Sequence, residues 1–256
     1  MELNRDYESA AIYKWRKKRK KAFVLFICIV GICFLVTRMV RVEDKTTVKV
    51  HNMHTEQNEK AIRYVASNMI KEDPKIAITF DDGPSPAWTP QLLDGLKERN
   101  VKATFFLIGE NAENTPELVK RESEEGHLVG NHTYHHVEIT RVPDETAKEE
   151  ILMTNEVITG ITGEEVSYMR PPFGAWQKKL EWELDVMPVM WTIDPLDWTT
   201  NNEDEIVNKV VTQAKENDII LLHDCYESSV NAALRIVDIL QKEGFEFVTV
   251  DELIMN

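Results

Sequence analysis

Short apolar runs alternate with amphipathic stretches along the chain from residue 75 to residue 250. Seven of the runs have the length and the β-branched and aromatic content of buried strands. They are KIAITF (75–80), VKATFFLI (101–108), HLVGNHT (127–133), SYMRPPF (167–173), MPVMWTI (187–193), DIILLHD (218–224) and FEFVTV (245–250). Because strands that alternate with helices build parallel sheets, the pattern predicts an α/β fold. Seven such units are enough to close a (β/α) barrel.

Helical stretches fill the gaps between these runs. Thr89 and Thr115 each precede a proline, which is typical of an N-cap hydroxyl followed by the first helical position. Apolar residues recur at helical spacing over 203–217 and over 228–244. We therefore expect one catalytic-size domain over residues 73–256.

The N-terminal part has a different pattern. Residues 22–36 (AFVLFICIVGICFLV) are uncharged. Extension of this segment to Val40 adds a single charged residue, Arg38, whose guanidinium can reach the membrane interface. Fifteen apolar residues would also suit a cleaved signal peptide, but no small-x-small cleavage site follows them. The pattern favours an uncleaved transmembrane signal anchor over residues 22–40.

Charge on the two sides of this segment predicts its orientation. Lys14–Lys21 holds seven basic residues, whereas residues 38–49 hold four. Basic side chains are retained on the cytoplasmic side of a membrane. We therefore expect a single-pass cell-membrane protein with a cytoplasmic basic tail (1–21), an extracytoplasmic polar stem (41–72) and an extracytoplasmic domain (73–256).

Composition excludes two other classes of protein. The chain of 256 residues has a formal net charge of −14, and residues 38–256 alone carry 22 basic and 41 acidic side chains. Nucleic-acid affinity depends on Lys and Arg pairing with phosphates, so we expect no nucleic-acid partner. Of the three cysteines, Cys28 and Cys33 lie in the apolar segment, which excludes a disulfide-stapled domain. The oligomeric state is left open.

Polar groups of catalytic type follow the ends of five predicted strands, where parallel α/β folds collect their functional groups. They are Asp81 with Asp82, His132 to His136, Arg170, Asp194 with Asp197, and His223 with Asp224. Each alone has a structural explanation, such as a turn or a buried histidine. Five at successive strand ends indicate a site.

The residue types favour metal-assisted hydrolysis. One carboxylate and two imidazoles hold a metal ion while leaving coordination positions open for water and substrate. A second carboxylate beside them can act as general base, and a histidine opposite as general acid. Spacing does not identify the second imidazole ligand, because His135 and His136 lie three and four residues after His132.

Five segments resemble, in order and in spacing, the five motifs of the polysaccharide deacetylase family, the NodB-homology or carbohydrate esterase family 4 group. They are TFDDGP (79–84), NHTYHH (131–136), RPPFG (170–174), DPLDW (194–198) and LLHD (221–224). One such segment is weak evidence, whereas five in order over residues 73–254 make a specific match. The resemblance implies a distorted (β/α) barrel and metal-dependent removal of acetyl groups from N-acetylated sugars.

The resemblance also implies a set of metal ligands. By position in the motifs these are Asp82, His132 and His136, which excludes His135. The expected cofactor is a divalent metal ion, zinc first and cobalt or a similar ion second.

Catalytic roles follow from the same resemblance. Asp81 is the expected catalytic base, and Arg170 holds it in place. His223 is the expected general acid for the departing amine, oriented and kept basic by Asp194.

Three further residues are implied to contact the substrate. Phe173 contributes its backbone N–H to an oxyanion hole, while Leu221 and Trp198 line the pocket for the acetyl methyl group. Phe173 stands where tyrosine is common in the family. Because the implied role belongs to the main chain, the change removes a phenolic hydroxyl but not the donor.

The resemblance therefore implies a hydrolase of carbon–nitrogen bonds in linear amides. A domain tethered close to the bilayer reaches the cell wall, so N-acetylglucosamine units of peptidoglycan are the first expected substrate. Chitin-like or other poly-N-acetylglucosamine is the second, and xylan O-acetyl groups are disfavoured. The alternative is a membrane-anchored carbohydrate-binding module without turnover. The complete set of implied catalytic residues argues against that alternative.

The charge bias predicts the outcome of a protease experiment. Protease added to intact cells stripped of their wall should digest the chain from about residue 42 onward and leave a short protected N-terminal piece. Immunoblotting with N- and C-terminal tags checks this. A protected domain, or a mature protein in the medium that begins near residue 40, contradicts the anchor.

Overall fold

The computed structural model describes residues 73–255, except residue 183 and the side chains of residues 181 and 182. Within this range the strands are β1 (Lys75–Asp81), β2 (Thr104–Leu107), β3 (Leu128–Asn131), β4 (Tyr168–Met169), β5 (Met187–Pro188), β6 (Ile219–His223) and β7 (Glu246–Phe247). The helices are α1 (Thr89–Glu98), α2 (Gly109–Asn114), α3 (Pro116–Glu124), α4 (Asp144–Thr162), α5 (Glu203–Val211), α6 (Glu227–Lys242) and α7 (Val250–Met255). Turns of 3₁₀ helix lie at Pro172–Gly174, Lys178–Trp182 and Asp197–Thr199.

The strands form a parallel sheet. Their order is β5-β4-β3-β2-β1-β6, and β7 pairs with the first residues of β1. In the described residues β5 and β6 do not pair as strands, and only an isolated bridge from Ile193 to Ile220 joins the segment after β5 to β6, so the sheet is a curled half-barrel with helices. Parallel pairing brings the carboxyl ends of β1, β2, β3, β4 and β6 to one edge.

Burial of the central strand and of the helix beside it fixes this edge in place. Six of the seven residues of β1 are buried, as expected for a parallel strand covered on both faces. In α6, Val230, Ala233, Val237 and Leu240 are fully buried at spacings of three and four residues. Each buried valine or leucine side chain contributes roughly 1.5–3 kcal/mol. The strand ends therefore belong to a rigid core.

All seven predicted strands are present, but several are shorter than predicted. The segment 167–173 supplies only the two residues of β4. Pro171 and Pro172 follow it, and proline has no N–H to donate to a strand ladder. The segment 187–193 likewise supplies two residues, although Ile193 makes an isolated parallel bridge to β6.

The helices differ from prediction in their caps and in three omissions. The hydroxyl of Thr89 donates to Asp224 rather than capping α1, and the hydroxyl of Thr115 donates to the carbonyl of Asn111. Both hydroxyls therefore donate to acceptors outside the helices that they were predicted to cap. The sequence pattern also left out α2, α4 and α7. The first and the last are only six residues long, and the charged residues of α4 obscure its apolar positions.

The N-terminal predictions concern other residues. The basic tail (1–21), the transmembrane anchor (22–40) and the stem (41–72) lie outside the described residues. In the part of the chain that the structure describes, no helix is long and apolar enough to cross a membrane.

Candidate functional site

Four strand ends bring the predicted site residues together. Asp81 is the last residue of β1, His132 follows β3, Arg170 follows β4, and His223 ends β6. In the sheet, Asp81 is in register with His223 on one side and with Phe106 on the other. Residues far apart in sequence therefore meet at one edge of the sheet.

Asp82, His132 and His136 form a compact group of potential metal ligands. One ligand atom from each lies within 4.8 Å of the other two. Asp82 Oδ1 is 3.3 Å from the Nε2 atoms of both His132 and His136. Among the described residues no other group of three or more acidic, histidine or cysteine side chains has this spacing.

The chemistry of these atoms fits a cation. Asp82 Oδ1 is buried and accepts no hydrogen bond from the described residues. His132 Nδ1 lies 2.6 Å from the carbonyl oxygen of Arg170, so Nδ1 donates, and in the tautomer that this bond selects Nε2 directs a lone pair toward Asp82. A carboxylate oxygen facing a nitrogen lone pair is unfavourable unless a positive charge lies between them.

The electrostatic environment favours the protonation states in which Asp82 and His136 can bind a metal ion. Burial alone would raise the pKa of Asp82, but His132, His223 and His136 together lower it below its ordinary value. Burial, followed by the charge of His132, lowers the pKa of His136. A carboxylate and a neutral imidazole are the protonation states that bind metal ions.

His135 points elsewhere. Its ring Nδ1 lies 2.7 Å from Glu150 Oε1, and its backbone N–H donates to Glu150 Oε2 at 2.8 Å. Thr133 and His136 adopt left-handed backbone angles, with φ of 62° and 55°, and these bends turn the two neighbouring histidines in different directions. The structure therefore groups His136, not His135, with Asp82.

Asp81 is held by a fully buried arginine. Arg170 Nη1 donates to Asp81 Oδ1 at 2.8 Å and to Thr79 Oγ1 at 2.6 Å. The guanidinium carbon lies 4.4 Å from the ring centroid of Phe106 and 5.6 Å from that of Trp191. Burial lowers the pKa of Arg170, and Asp81 opposes that shift. Asp81 Oδ2 faces the ligand group, 3.9 Å from His132 Nε2.

The partner of His223 corrects the sequence prediction. Asp197 accepts from both His223 Nδ1 at 2.8 Å and the His223 backbone N–H at 2.9 Å. Asp194, the predicted partner, is exposed and accepts from the backbone N–H of Leu196 instead. Leu196 has a left-handed φ of 57°, and this bend folds the chain so that Asp197 faces His223. Asp194 was the wrong choice from the DPLDW motif.

Asp197 sets the proton affinity of His223. Burial favours the neutral ring, but the hydrogen bond and charge of Asp197, with the charges of Asp81 and Asp82, raise the pKa of His223 to about 9. His223 Nε2 points into the site, 4.0 Å from Asp82 Oδ2. The ring is therefore a protonated donor at neutral pH, and it approaches Oδ2 of Asp82, whereas His136 approaches Oδ1.

The three predicted substrate contacts occupy different positions. Phe173 lies beside the site, with its ring centroid 4.9 Å from that of His136, and its left-handed φ of 60° interrupts the turn around it. Trp198 is exposed next to Asp197. Leu221 is buried in β6, two residues before His223. The ring contact places Phe173 at the site, whereas Leu221 lies within the sheet and Trp198 at the surface.

Several residues of the site were missed from the sequence. Trp191 and Phe106 cover the Arg170 guanidinium, Glu150 contacts His135, and Tyr226 lies with its ring centroid 6.4 Å from that of His223. Of these residues, only Tyr226 could have been predicted from the sequence, because it lies two residues after the LLHD motif.

Known proteins resemble this chain over the described domain. The profile described as polysaccharide deacetylase matches residues 68–189. The peptidoglycan-N-acetylglucosamine deacetylase PgdA of Listeria monocytogenes serotype 1/2a is 38% identical over 216 residues, which cover 82% of this chain and 46% of that protein. This chain thus spans about half the length of the first curated relatives that it matches.

A second relative and a solved structure agree with these matches. A peptidoglycan-N-acetylglucosamine deacetylase of Bacillus cereus is 39% identical over 186 residues, 70% of this chain and 68% of that protein. The structure of the peptidoglycan deacetylase PdaC from Bacillus subtilis superposes with a TM-score of 0.69 at 39% identity, over 71% of this chain and 90% of that chain.

The geometry predicts which variants lose metal. Asp82→Ala, His132→Ala and His136→Ala should each abolish retention of a divalent ion, because each removes a ligand atom. His135→Ala should retain it, since its ring is turned toward Glu150. Elemental analysis of purified full-length variants checks this, and metal loss in the His135 variant contradicts the grouping.

The Asp197 contact predicts a change in pH dependence. A general acid must be protonated, so the rate falls as pH rises through its pKa. Asp197→Asn removes the charge that raises the pKa of His223, and the alkaline limb of kcat/KM should move to lower pH by roughly 1–3 units. Asp194→Asn is the control and should leave that limb within about half a unit. Equal shifts in the two variants would contradict the assignment to Asp197.

Proposed function

The chain belongs to the polysaccharide deacetylase family, and we propose that it is a metal-dependent hydrolase that removes N-acetyl groups from N-acetylglucosamine units of a cell-wall polysaccharide. The observation that carries the proposal is the arrangement around Asp82. An arginine-held carboxylate, Asp81, places Oδ2 3.9 Å from His132 Nε2, and an aspartate-held imidazole, His223, places Nε2 4.0 Å from Asp82 Oδ2. This is the arrangement required to take one proton and deliver another across an amide bond.

Asp82, His132 and His136 would hold the ion. Two imidazole nitrogens and one carboxylate oxygen suit Zn²⁺ and leave at least one coordination position open, and cobalt or a similar ion is the second candidate. When bound, such an ion polarises the acetamide carbonyl and lowers the pKa of water to about 7. The carbonyl of Arg170, which accepts from His132 Nδ1, fixes the tautomer and direction of one ligand ring.

Asp81 would act as the general base. Arg170 donates to its Oδ1, so Oδ2 is the oxygen available to accept a proton from the attacking water. The ion pair also restrains rotation of the carboxylate, which keeps Oδ2 directed toward the ligand group. Such placement of a base contributes roughly 10²–10⁴-fold to the rate.

His223 would act as the general acid. Water adds its oxygen to the acetyl carbon, the carbon–nitrogen bond breaks, and His223 Nε2 donates a proton to the departing nitrogen. The products are acetate and a free glucosamine amine, and the proton accepted by Asp81 balances the one that His223 gives. Asp197 stabilises the protonated imidazole before that transfer.

Phe173, Leu221 and Trp198 would contact the acetyl group. The Phe173 backbone N–H donates to none of the described residues. A free donor beside the ligand group suits the oxygen on which negative charge develops, and one such donor contributes about 3 kcal/mol. Leu221 and Trp198 would supply the apolar surface for the methyl group.

The rim of the site favours a glycan. Six large hydrophobic side chains are exposed in the described part of the chain, and four of them flank site residues. These four are Phe173, Leu196, Trp198 and Tyr226. Exposed aromatic and aliphatic surface around a polar site suits the C–H faces of sugar rings. The names of the Listeria and Bacillus relatives point to peptidoglycan, and chitin-like or other poly-N-acetylglucosamine is the alternative polymer.

The N-terminal residues support a proposal about where in the cell the protein is located. The apolar residues 22–40 and the basic residues before them would anchor the chain in the cell membrane with the domain outside, within reach of the wall. We also propose that the open half-barrel is the distorted (β/α) barrel of the NodB-homology type. The second candidate function, a carbohydrate-binding module without turnover, is disfavoured by the intact Asp81 and His223 contacts.

A direct assay tests the activity. Full-length protein incubated with Zn²⁺ or Co²⁺ and N-acetylchitooligosaccharides should release acetate, and mass analysis of muropeptides from cells with and without the protein should show deacetylated glucosamine. Metal-dependent sugar binding without acetate release would favour the binding module. Acetate release with unchanged muropeptides would favour a different polymer.

Asp81→Asn is the sharpest catalytic variant. The amide can still accept from Arg170, so metal should be retained, but it cannot take a proton, and the rate of acetate release should fall by at least roughly 10²-fold. Metal analysis and initial rates on the same preparation check both statements. A variant with more than about a tenth of the wild-type rate would remove Asp81 from the role of base.

A further inference from the structure

Helix α4 makes hydrogen bonds to the segment that carries two of the three proposed metal ligands, His132 and His136. We call residues 131–137 the ligand loop. We propose that Glu150, on the buried face of α4, is a positioning residue that sets the conformation of this loop and thereby the affinity of the site for its metal ion. The inference rests on the proposed metal site, but not on the identity of the substrate.

The ligand loop needs an external restraint. Thr133 and His136 both have left-handed backbone angles, although neither is glycine. Such a conformation is strained for a residue with a Cβ atom and persists only where its surroundings determine it. His132 precedes the first bend and His136 is the second, so the two Nε2 atoms take their separation from this strained backbone. Metal coordination tolerates errors of only about 0.2 Å in such distances.

Glu150 supplies the restraint at the middle of the loop. Its side chain is nearly fully buried, with both oxygens engaged by one residue. Oε2 accepts from the backbone N–H of His135 at 2.8 Å, and Oε1 lies 2.7 Å from His135 Nδ1. The first contact fixes the main chain directly before His136. The second turns the ring of His135 away from the ligand group.

The neighbouring residues of α4 hold the start of the same loop. The side-chain amide of Asn131 donates to the carbonyl of Ile151 at 2.8 Å and to Asn155 Oδ1 at 2.7 Å. Asn131 Oδ1 in turn accepts from the backbone N–H of Thr133 at 2.7 Å, at the first left-handed residue. One helix therefore restrains both bends from successive turns, and Glu150 acts on the bend nearer the second ligand.

Glu150 acts through position and not as a ligand. It is absent from the group of ligand atoms that lie within 4.8 Å of one another, and its two oxygens are already used by His135. The substitution Glu150→Ala leaves the His135 N–H without its acceptor and the loop without its central contact. Glu150→Gln keeps an acceptor for that N–H and an N–H donor for a neutral His135 Nδ1.

Metal affinity measured on full-length protein tests the proposal. Apo-protein is titrated with Zn²⁺ against a chromophoric chelator, and thermal unfolding of the apo form is recorded for each variant. Glu150→Ala should weaken Zn²⁺ binding about 10–100-fold, the range found when residues that orient metal ligands are removed. Glu150→Gln should stay within about threefold of wild type. Glu149→Ala, an exposed neighbour on the same helix, is the matched control and should bind as wild type does.

Each result decides the matter. Weak binding in Glu150→Ala with recovery in Glu150→Gln supports positioning through hydrogen bonds, and Glu150→Gln provides that test even if the alanine variant does not fold. Wild-type affinity in Glu150→Ala overturns the proposal, as does a Glu150→Gln variant that folds like wild type yet loses affinity. Because the readout is metal binding, a protein that binds Zn²⁺ but releases no acetate would refute the proposed function and leave this inference intact.

Discussion

The buried ion pair between Arg170 and Asp81 is the interaction on which the rest of the site depends. A guanidinium with no solvent exposure is unfavourable unless its donors are satisfied, and here Asp81, Thr79 and the carbonyl of Val189 accept from it. The rings of Phe106 and Trp191 lie 4.4 Å and 5.6 Å from its central carbon and add cation–π contacts. Loss of one partner from such a pair typically costs 3–5 kcal/mol, because the other charge remains buried.

This pair connects the base to the proposed metal site. The side chain of Arg170 holds Asp81 at the end of β1, while its own carbonyl holds His132 at the end of β3. One residue after β4 therefore fixes groups from two other strands. The neighbouring carboxylates of Asp81 and Asp82 also acquire different environments, since the first faces an arginine and the second faces imidazoles. Such a difference allows adjacent acidic groups to serve different functions.

Strained backbone conformations and exposed hydrophobic side chains are concentrated in and around the site. Asp82, Thr133, His136, Phe173 and Leu196 all have left-handed backbone angles, and each lies in the site or beside it. The core beneath them supplies the rigidity that such conformations require. Exposed hydrophobic side chains are likewise gathered at the rim rather than scattered over the described surface. Together these features describe a preorganised polar centre open to a polymer on one side.

The sequence by itself determined the order of the strands along the chain and the residues of the five motifs, because apolar period and motif composition are local properties. It also indicated, without help from contacts, that carboxylates and imidazoles follow the strand ends. It did not determine how long β4 and β5 are, or that α4 exists, because prolines and charged surface positions blur the periodic signal.

Where the sequence offered two similar residues, only the tertiary structure showed which one contacts the other residues of the site. Asp197 rather than Asp194 faces His223 because of a left-handed bend at Leu196, and such a bend leaves no periodic trace in the sequence. Glu150 reaches the ligand loop, and Trp191 reaches Arg170, through packing between separate elements. Contacts of this kind depend on how the chain is folded in space, so residue type and spacing could not predict them.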